Sequence, residues 1–308
     1  MTQPLGTAGA DPRTSLGIAF VIASAAAFGA MAILARIAYA AGVDVVTLLA
    51  LRFAFAAAVM LVIAWWRGIA LPSGTTLGAL ILLGALGYGG QAASFFTALT
   101  LAPAGLVALL LYLHPAFVAV LAALFLHERI NAARLAALAM ALAGTALTIV
   151  PAQGDGSSTT MSPELATGIG FAIAAATFYA VYIVVGSWLG RRAGPLAMST
   201  VVIVSAAVVF GAAATIRGPQ WPQTPAGWTA VAAIAVVSTV AAITLYFAGL
   251  ERIGPTRAST LSTIEPLVTV TLAALVLDET IAPVQLAGGA LILAAVVVLA
   301  TAGRRLPT

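Results

Sequence analysis

Ser259–Glu279 reads STLSTIEPLVTVTLAALVLDE, about twenty apolar and hydroxylated residues, long enough to cross a bilayer core of roughly 30 Å as a helix. Glu265 stands directly before Pro266 in the middle of this run. An ionisable group at membrane depth is costly against lipid, so Glu265 is expected to face protein or water. Proline removes a backbone donor and clashes with the preceding turn, so the helix is expected to bend there. A charge and a helix defect at one depth mark a candidate pathway.

The rest of the chain has the same character. Of 308 residues, 62% are hydrophobic and 7% charged, against roughly 25% charged in a soluble domain. Together with a mean hydropathy of +1.13, this describes a polytopic, all-α membrane protein. All thirteen basic residues are arginine and there is no cysteine. Phosphate-loop lysines, Schiff-base lysines and Ser-Lys dyads are thereby excluded, as are disulfides, thiolate metal sites and cysteine nucleophiles. The net charge of +4 reads as loop arginines that set orientation rather than as a surface for nucleic acid. Ala23-Ser24-Ala25 resembles a signal-peptidase site, but the apolar run continues to about Tyr39, too long for a signal core, so a retained first helix is expected.

Apolar runs lie near 16–40, 45–66, 76–99, 104–126 and 132–150, then near 165–190, 195–216, 226–250, 256–277 and 281–302. Ten transmembrane helices are expected, divided into a cytoplasmic tail (1–15), a first five-helix repeat (16–150), an extracytoplasmic linker (151–164), a second repeat (165–302) and a C-terminal tail (303–308). With both termini cytoplasmic, Arg13, Arg67, Arg129, Arg134, Arg191, Arg192, Arg252, Arg257, Arg304 and Arg305 fall on or beside inner segments. Arg36, Arg52 and Arg217 fall towards the outer side, so the arginine bias supports this orientation.

The halves repeat at an offset of 151 residues. Gly17-Ile18 aligns with Gly168-Ile169, Phe20 with Phe171, Phe96 with Phe247 and Leu99 with Leu250. Pro115–Ile130 (PAFVAVLAALFLHERI) matches Pro266–Ile281 (PLVTVTLAALVLDETI) at eight of sixteen positions, including the proline and the closing glutamate. Five spans is an odd number, so the second repeat inserts upside down relative to the first. Inverted repeats place a site near the midplane and suit alternating access.

The paired segments Ala98–Glu128 and Gly249–Glu279 resemble those of the drug/metabolite transporter superfamily, EamA type. The resemblance runs from about Leu16 to Thr301. It implies a Pro/Gly-marked hairpin between the third and fourth helices of each half, a mid-helix proline, and an acid closing the fourth helix. In overall look the chain is similar to bacterial inner-membrane exporters of amino acids, aromatic ones in particular. The implied location is therefore a bacterial-type cytoplasmic membrane, with a small amphipathic solute as substrate and protons as a candidate coupling ion. No cofactor or metal is implied.

The offset also outlines a substrate cavity. Tyr88, Gln91 and Phe95 share one helical face, with Thr239, Ala242 and Tyr246 as their partners in the second half. Phe28 and Met31 pair with Tyr179 and Tyr182, and His114-Pro115 pairs with Glu265-Pro266. Such a lining offers aromatic faces for stacking or cation–π contact and a few hydrogen-bonding groups for a zwitterion. Each aromatic also has a plainer role in helix packing or in the headgroup belt.

Glu265 either binds a proton or a substrate amine, or is a structural acid held by hydroxyls such as that of Ser262. His114 is a cavity group or a packing residue, and Pro115 and Pro266 are hinges or tolerated kinks. Gly84, Gly87, Gly89 and Gly90 either loosen the third span or let helices approach. Glu128 and Glu279, beside His127 and Asp278, read as gates or anchors, and Arg52 as a snorkelling or ion-paired cation. A broad-specificity drug/proton antiporter of the same fold is the alternative function. A channel lacks a visible filter, and an enzyme lacks motifs such as HExxH and GxSxG.

Overall fold

A computed structural model describes residues 12–125, 132–149, 162–253 and 261–302, together with Ala258. The expectations for most of the N-terminal tail and the linker, for the C-terminal tail, and for His127, Glu128, Arg129 and Arg257 lie outside the described residues. Among the described residues every regular element is helical. In chain order these are α1 (Pro12–Ala40), α2 (Val45–Trp66), α3 (Gly74–Leu101), α4 (Ala104–Leu111), α5 (His114–Phe125) and α6 (Ala132–Ile149). They continue as α7 (Pro163–Ala193), α8 (Pro195–Arg217), α9 (Pro225–Ile253), α10 (Ile264–Val276) and α11 (Pro283–Ala302).

Among the described residues, seven segments are long and apolar enough to cross a membrane: α1 from Arg13, α2, α3, Ala104–Leu121, α7, α8 and α9. Leu135–Ile149, Ile264–Val276 and Pro283–Val298 are shorter apolar helices. Local chemistry sets several starts. Asp44 accepts from the N–H groups of Val46 and Thr47 at the head of α2, and Ser162 and Thr224 cap α7 and α9 through Leu165 and Gly227, each followed by proline at the first helical position. Gly194, at φ +80°, turns the chain between α7 and α8, where a side chain would strain the backbone.

The two halves interlock by exchanging helices. α1 lies antiparallel along α9: a Cβ on Gly17 would meet Ile253 and Arg252, and one on Gly227 would meet Ala41. The matching contact joins α7 to α3, where Gly168 faces Leu101 and Ala102. α1 also packs on α10 and α7 on α5, while α2 pairs with α8 and α6 with α11. This contact pattern maps onto itself when the numbering is shifted by 151. At the α6–α11 crossing, a Cβ on Gly144 would fall 2.6 Å from the carbonyl oxygen of Gly288, and where α11 meets α4 one on Gly289 would fall 2.8 Å from Leu109. The small residues at Gly288 and Gly289 are thus occupied by contacts within the chain.

These contacts define two ends of the bundle. The ends of α1 and α3 and the starts of α7 and α9 lie together: Arg36 donates to Leu99 O at 2.7 Å, Tyr39 to Phe96 O at 3.0 Å, and Gln223 N to Ala41 O at 2.9 Å. Ala104 and Glu279 belong to this end. The start of α1 and the ends of α7 and α9, with Arg191 and Arg252, form the other.

The helices are interrupted at matched depths. α3 contains a π-helical turn at Leu83–Tyr88 and α9 another at Val236–Ala241; their starts differ by 153 residues (236 − 83), close to the repeat offset. The expected bends at Pro115 and Pro266 are breaks instead, and they fall before the prolines. α4 stops at Leu111, the chain turns through Tyr112 and Leu113, and α5 starts at His114; ahead of α10 the chain turns at Thr263 and helix resumes at Ile264. Each proline then sits in the first turn of a new helix, where its missing N–H costs least.

Candidate functional site

A proline deprives the carbonyl four residues earlier of its helical donor, so Pro115 frees Leu111 O and Pro266 frees Ser262 O. A side chain captures each. His114 Nδ1 contacts Leu111 O at 3.0 Å; because a carbonyl can only accept, the imidazole carries a proton on Nδ1. Tyr112 Oη donates to Ser262 O at 2.9 Å and to Glu265 Oε2 at 3.0 Å. The phenol has one proton to share between these acceptors. With Glu265 ionised, that proton is divided between them. With Glu265 protonated, the carboxyl donates to Tyr112 Oη and the phenol gives its proton wholly to Ser262 O. The same heavy-atom arrangement accommodates both protonation states, the phenol proton serving two acceptors in one and Ser262 O alone in the other.

α1 closes over this pair. A Cβ on Gly29 would lie 2.7 Å from Glu265 O, so glycine permits the approach. Thr269 Oγ1 donates across it to Gly29 O at 2.9 Å. Between the helices remains a cavity of about 10 Å³, lined by Phe28, Met31, Phe95, Leu111, Tyr112 and Glu265 among others. That is room for about one water molecule.

Aromatic rings continue from the cavity wall. Tyr112 meets His114 with ring centroids 5.7 Å apart, His114 meets Tyr179 at 4.5 Å, and Tyr179 stacks on Tyr182 at 6.2 Å. Tyr182 contacts Tyr88 at 5.4 Å, and Tyr88 meets Phe53 edge-on at 5.5 Å. Tyr182 also lines an open cleft of about 530 Å³ with Gly186, Gly190, Arg191 and Met198, at the Arg191 end between α7 and α8. The opposite end carries a clasp. Ala104 N donates to Glu279 Oε1 at 2.7 Å and Gly105 N to Oε2 at 3.1 Å, placing a carboxylate on the positive N-terminus of α4.

Of the residues expected to form the cavity, the structure brings Phe28, Met31, Phe95 and Glu265 around one space, with Pro266 beside them. It strings Tyr88, Tyr179, Tyr182 and His114 into the ring series. Tyr246 packs on the cluster of Val21, Ile253 and Ala258 and lies within electrostatic reach of Tyr112 and Tyr179. Gln91 makes no side-chain hydrogen bond among the described residues, and Thr239 is engaged by Arg52. Arg52 corrects the sequence reading. It is 5% exposed and so does not snorkel, and among the described residues no carboxylate lies within ion-pairing distance.

Tyr112 and Thr269 line the cavity and were passed over in the sequence reading, which also misassigned Arg52, outside it. The orphaned carbonyl at Ser262 was a signal that some donor must arrive. Its identity depends on which span of the other half crosses there.

Comparison with known proteins is consistent over most of the chain. It is 28% identical over 213 residues, covering 67% of this chain and 70% of the relative, to an "Uncharacterized transporter" of Archaeoglobus fulgidus. One crystallographically determined protein has the same fold, with a TM-score of 0.65 at 23% identity over 96% of this chain and 99% of its own. The profile of the EamA-like transporter family matches twice, at residues 15–150 and 166–301. The chain therefore belongs to the EamA-like transporter family.

Proposed function

We propose that the chain is a ten-span secondary transporter that exports small amphipathic metabolites, amino acids with aromatic side chains foremost, through a central cavity by alternating access. The carrying observation is the Glu265–Tyr112 pair: a carboxyl group enclosed at a helix break, with partners for both protonation states, beside Phe28, Met31 and Phe95. A proton-linked carrier needs a group that changes charge inside the membrane without leaving a polar atom unmet.

The antiparallel pairing of α1 with α9 supports inverted insertion, because α9 corresponds by offset to α3, which runs in the direction of α1. The arginines Arg13, Arg67, Arg191, Arg192 and Arg252 support a cytoplasmic cleft end, with the cleft as inner vestibule and the Glu279 clasp as outer seal. The ring series from Tyr182 to Tyr112 offers successive weak contacts, each worth about 0.5–2 kcal/mol to an aromatic solute or an ammonium. Weak contacts suit export, since tight binding slows release.

Reconstitution in liposomes tests this reading. The expected result is saturable counterflow of labelled aromatic amino acids, with non-saturating flux the mark of a channel instead. Tyr88→Ala and Tyr182→Ala are expected to weaken transport of aromatic solutes; wild-type rates in both would assign those rings to packing.

A further inference from the structure

Arg52 lies on α2 where that helix meets the π-turn of α9, a region separate from the Glu265 cavity. Its Nε donates to Thr239 Oγ1 at 3.2 Å, and Thr239 in turn donates its own proton to Ile234 O at 2.9 Å. The guanidinium carbon sits 5.3 Å from the ring centres of both Phe53 and Phe96. The two terminal amino groups make no hydrogen bond among the described residues. Ser238, the neighbour of Thr239 on the same turn, is fully buried, and its hydroxyl has no partner among the described residues.

A buried cation without a counter-charge is costly, and Arg is the side chain whose planar fork matches a carboxylate with two parallel hydrogen bonds. Cation–π contact with two rings offsets part of that cost but uses the face of the guanidinium and leaves its edge donors open. Phe96 meets Phe95 at 5.5 Å, and Phe95 lines the Glu265 cavity. Phe53 touches Tyr88 of the ring series. Arg52 therefore stands directly behind the aromatic wall of the proposed pathway, covered by rings belonging to α2 and α3.

We propose that Arg52 is the receptor for a carboxylate on the transported solute, exposed when α3 shifts and Phe96 uncovers the guanidinium edge. The inference rests on the carrier reading above and narrows it. Cargo must bear a carboxylate, so amino acids and aryl acids qualify and purely cationic drugs do not. Arg52 and Glu265 then stand at different points along the ring series, as an acid-recognising group and a proton-accepting group with separate duties.

The test is competition in proteoliposomes against labelled phenylalanine, using 3-phenylpropionate, which keeps the carboxylate and lacks the amine, and phenylalaninamide, which does the reverse. The wild-type carrier is expected to prefer 3-phenylpropionate to phenylalaninamide by at least tenfold. Arg52→Gln should bring that ratio near one, and Arg52→Lys should restore part of it. Saturable phenylalanine flux with the same preference in Arg52→Gln would overturn the inference and leave the carrier reading standing. If Arg52→Gln does not fold, the wild-type protein decides: indifference to the carboxylate overturns the proposal. Absence of saturable flux for phenylalanine would overturn the amino-acid reading and this inference together.

Discussion

Two residues carry sharp expectations of their own. Tyr112→Phe deletes the donor to Ser262 O and to Glu265, and a buried carbonyl left without a partner costs about 1–3 kcal/mol. The variant is expected to unfold at a measurably lower temperature in detergent, and an unchanged midpoint would show that water replaces the phenol. Glu265→Gln keeps the shape but cannot change charge, so transport should lose its pH dependence across about pH 5–8; a variant retaining the wild-type profile would remove Glu265 from coupling. Glu265 was legible as a special residue because a charge beside a proline in an apolar run has few bland explanations. Tyr112 was not, because its significance comes from an acceptor 150 residues away. Arg52 was misread for a related reason: sequence gives depth along a span but not the direction a side chain takes from it.

At the scale of elements, the prolines announce where a span is defective, yet the defect falls upstream of them. The break before Pro115 is held by His114 on Leu111 O, and the break before Pro266 by Tyr112 on Ser262 O. Replacing both prolines with alanine restores a helical donor to each carbonyl and should let the two spans stiffen. Counterflow is expected to slow several-fold while the protein folds; unchanged turnover would make the breaks static. The π-turn in α3 had a hint in the run of glycines around Tyr88, and Gly84 does lie against Val202, where a Cβ would be 2.5 Å from its carbonyl oxygen. The π-turn in α9, Val236–Ala241, contains no glycine. Its signal is positional, visible once α3 is known to be wound that way.

At the scale of the whole molecule, the 151-residue offset anticipated a contact map that repeats on itself, because matched sequences bury matched faces. Which end stands closed was not legible, since it depends on hydrogen bonds to backbone N–H groups whose neighbours in space are set by the assembled bundle. The cysteine-free sequence makes the topology directly testable: a single introduced thiol is the sole thiol in the protein. In right-side-out vesicles a membrane-impermeant maleimide is expected to label Thr280→Cys, beside the clasp, and to spare Ser187→Cys, in the cleft. The opposite pattern would invert the proposed orientation.

The Glu279 clasp has a consequence for reverse flux. Shifted by the repeat offset, Glu279, Ala104 and Gly105 become Glu128, Pro255 and Thr256, and proline has no N–H to offer. A charge-assisted hydrogen bond contributes about 1.5–3 kcal/mol, and the repeat-related sequence offers one backbone donor fewer than the clasp uses. Under the proposed alternating access and orientation, the clasp disfavours the outward-open form, and apparent affinity at that face falls in proportion to its population. Solute gradients still fix the net direction. On the proposed export function, half-saturation should nonetheless need a higher concentration outside than inside, a bias against refilling the cell.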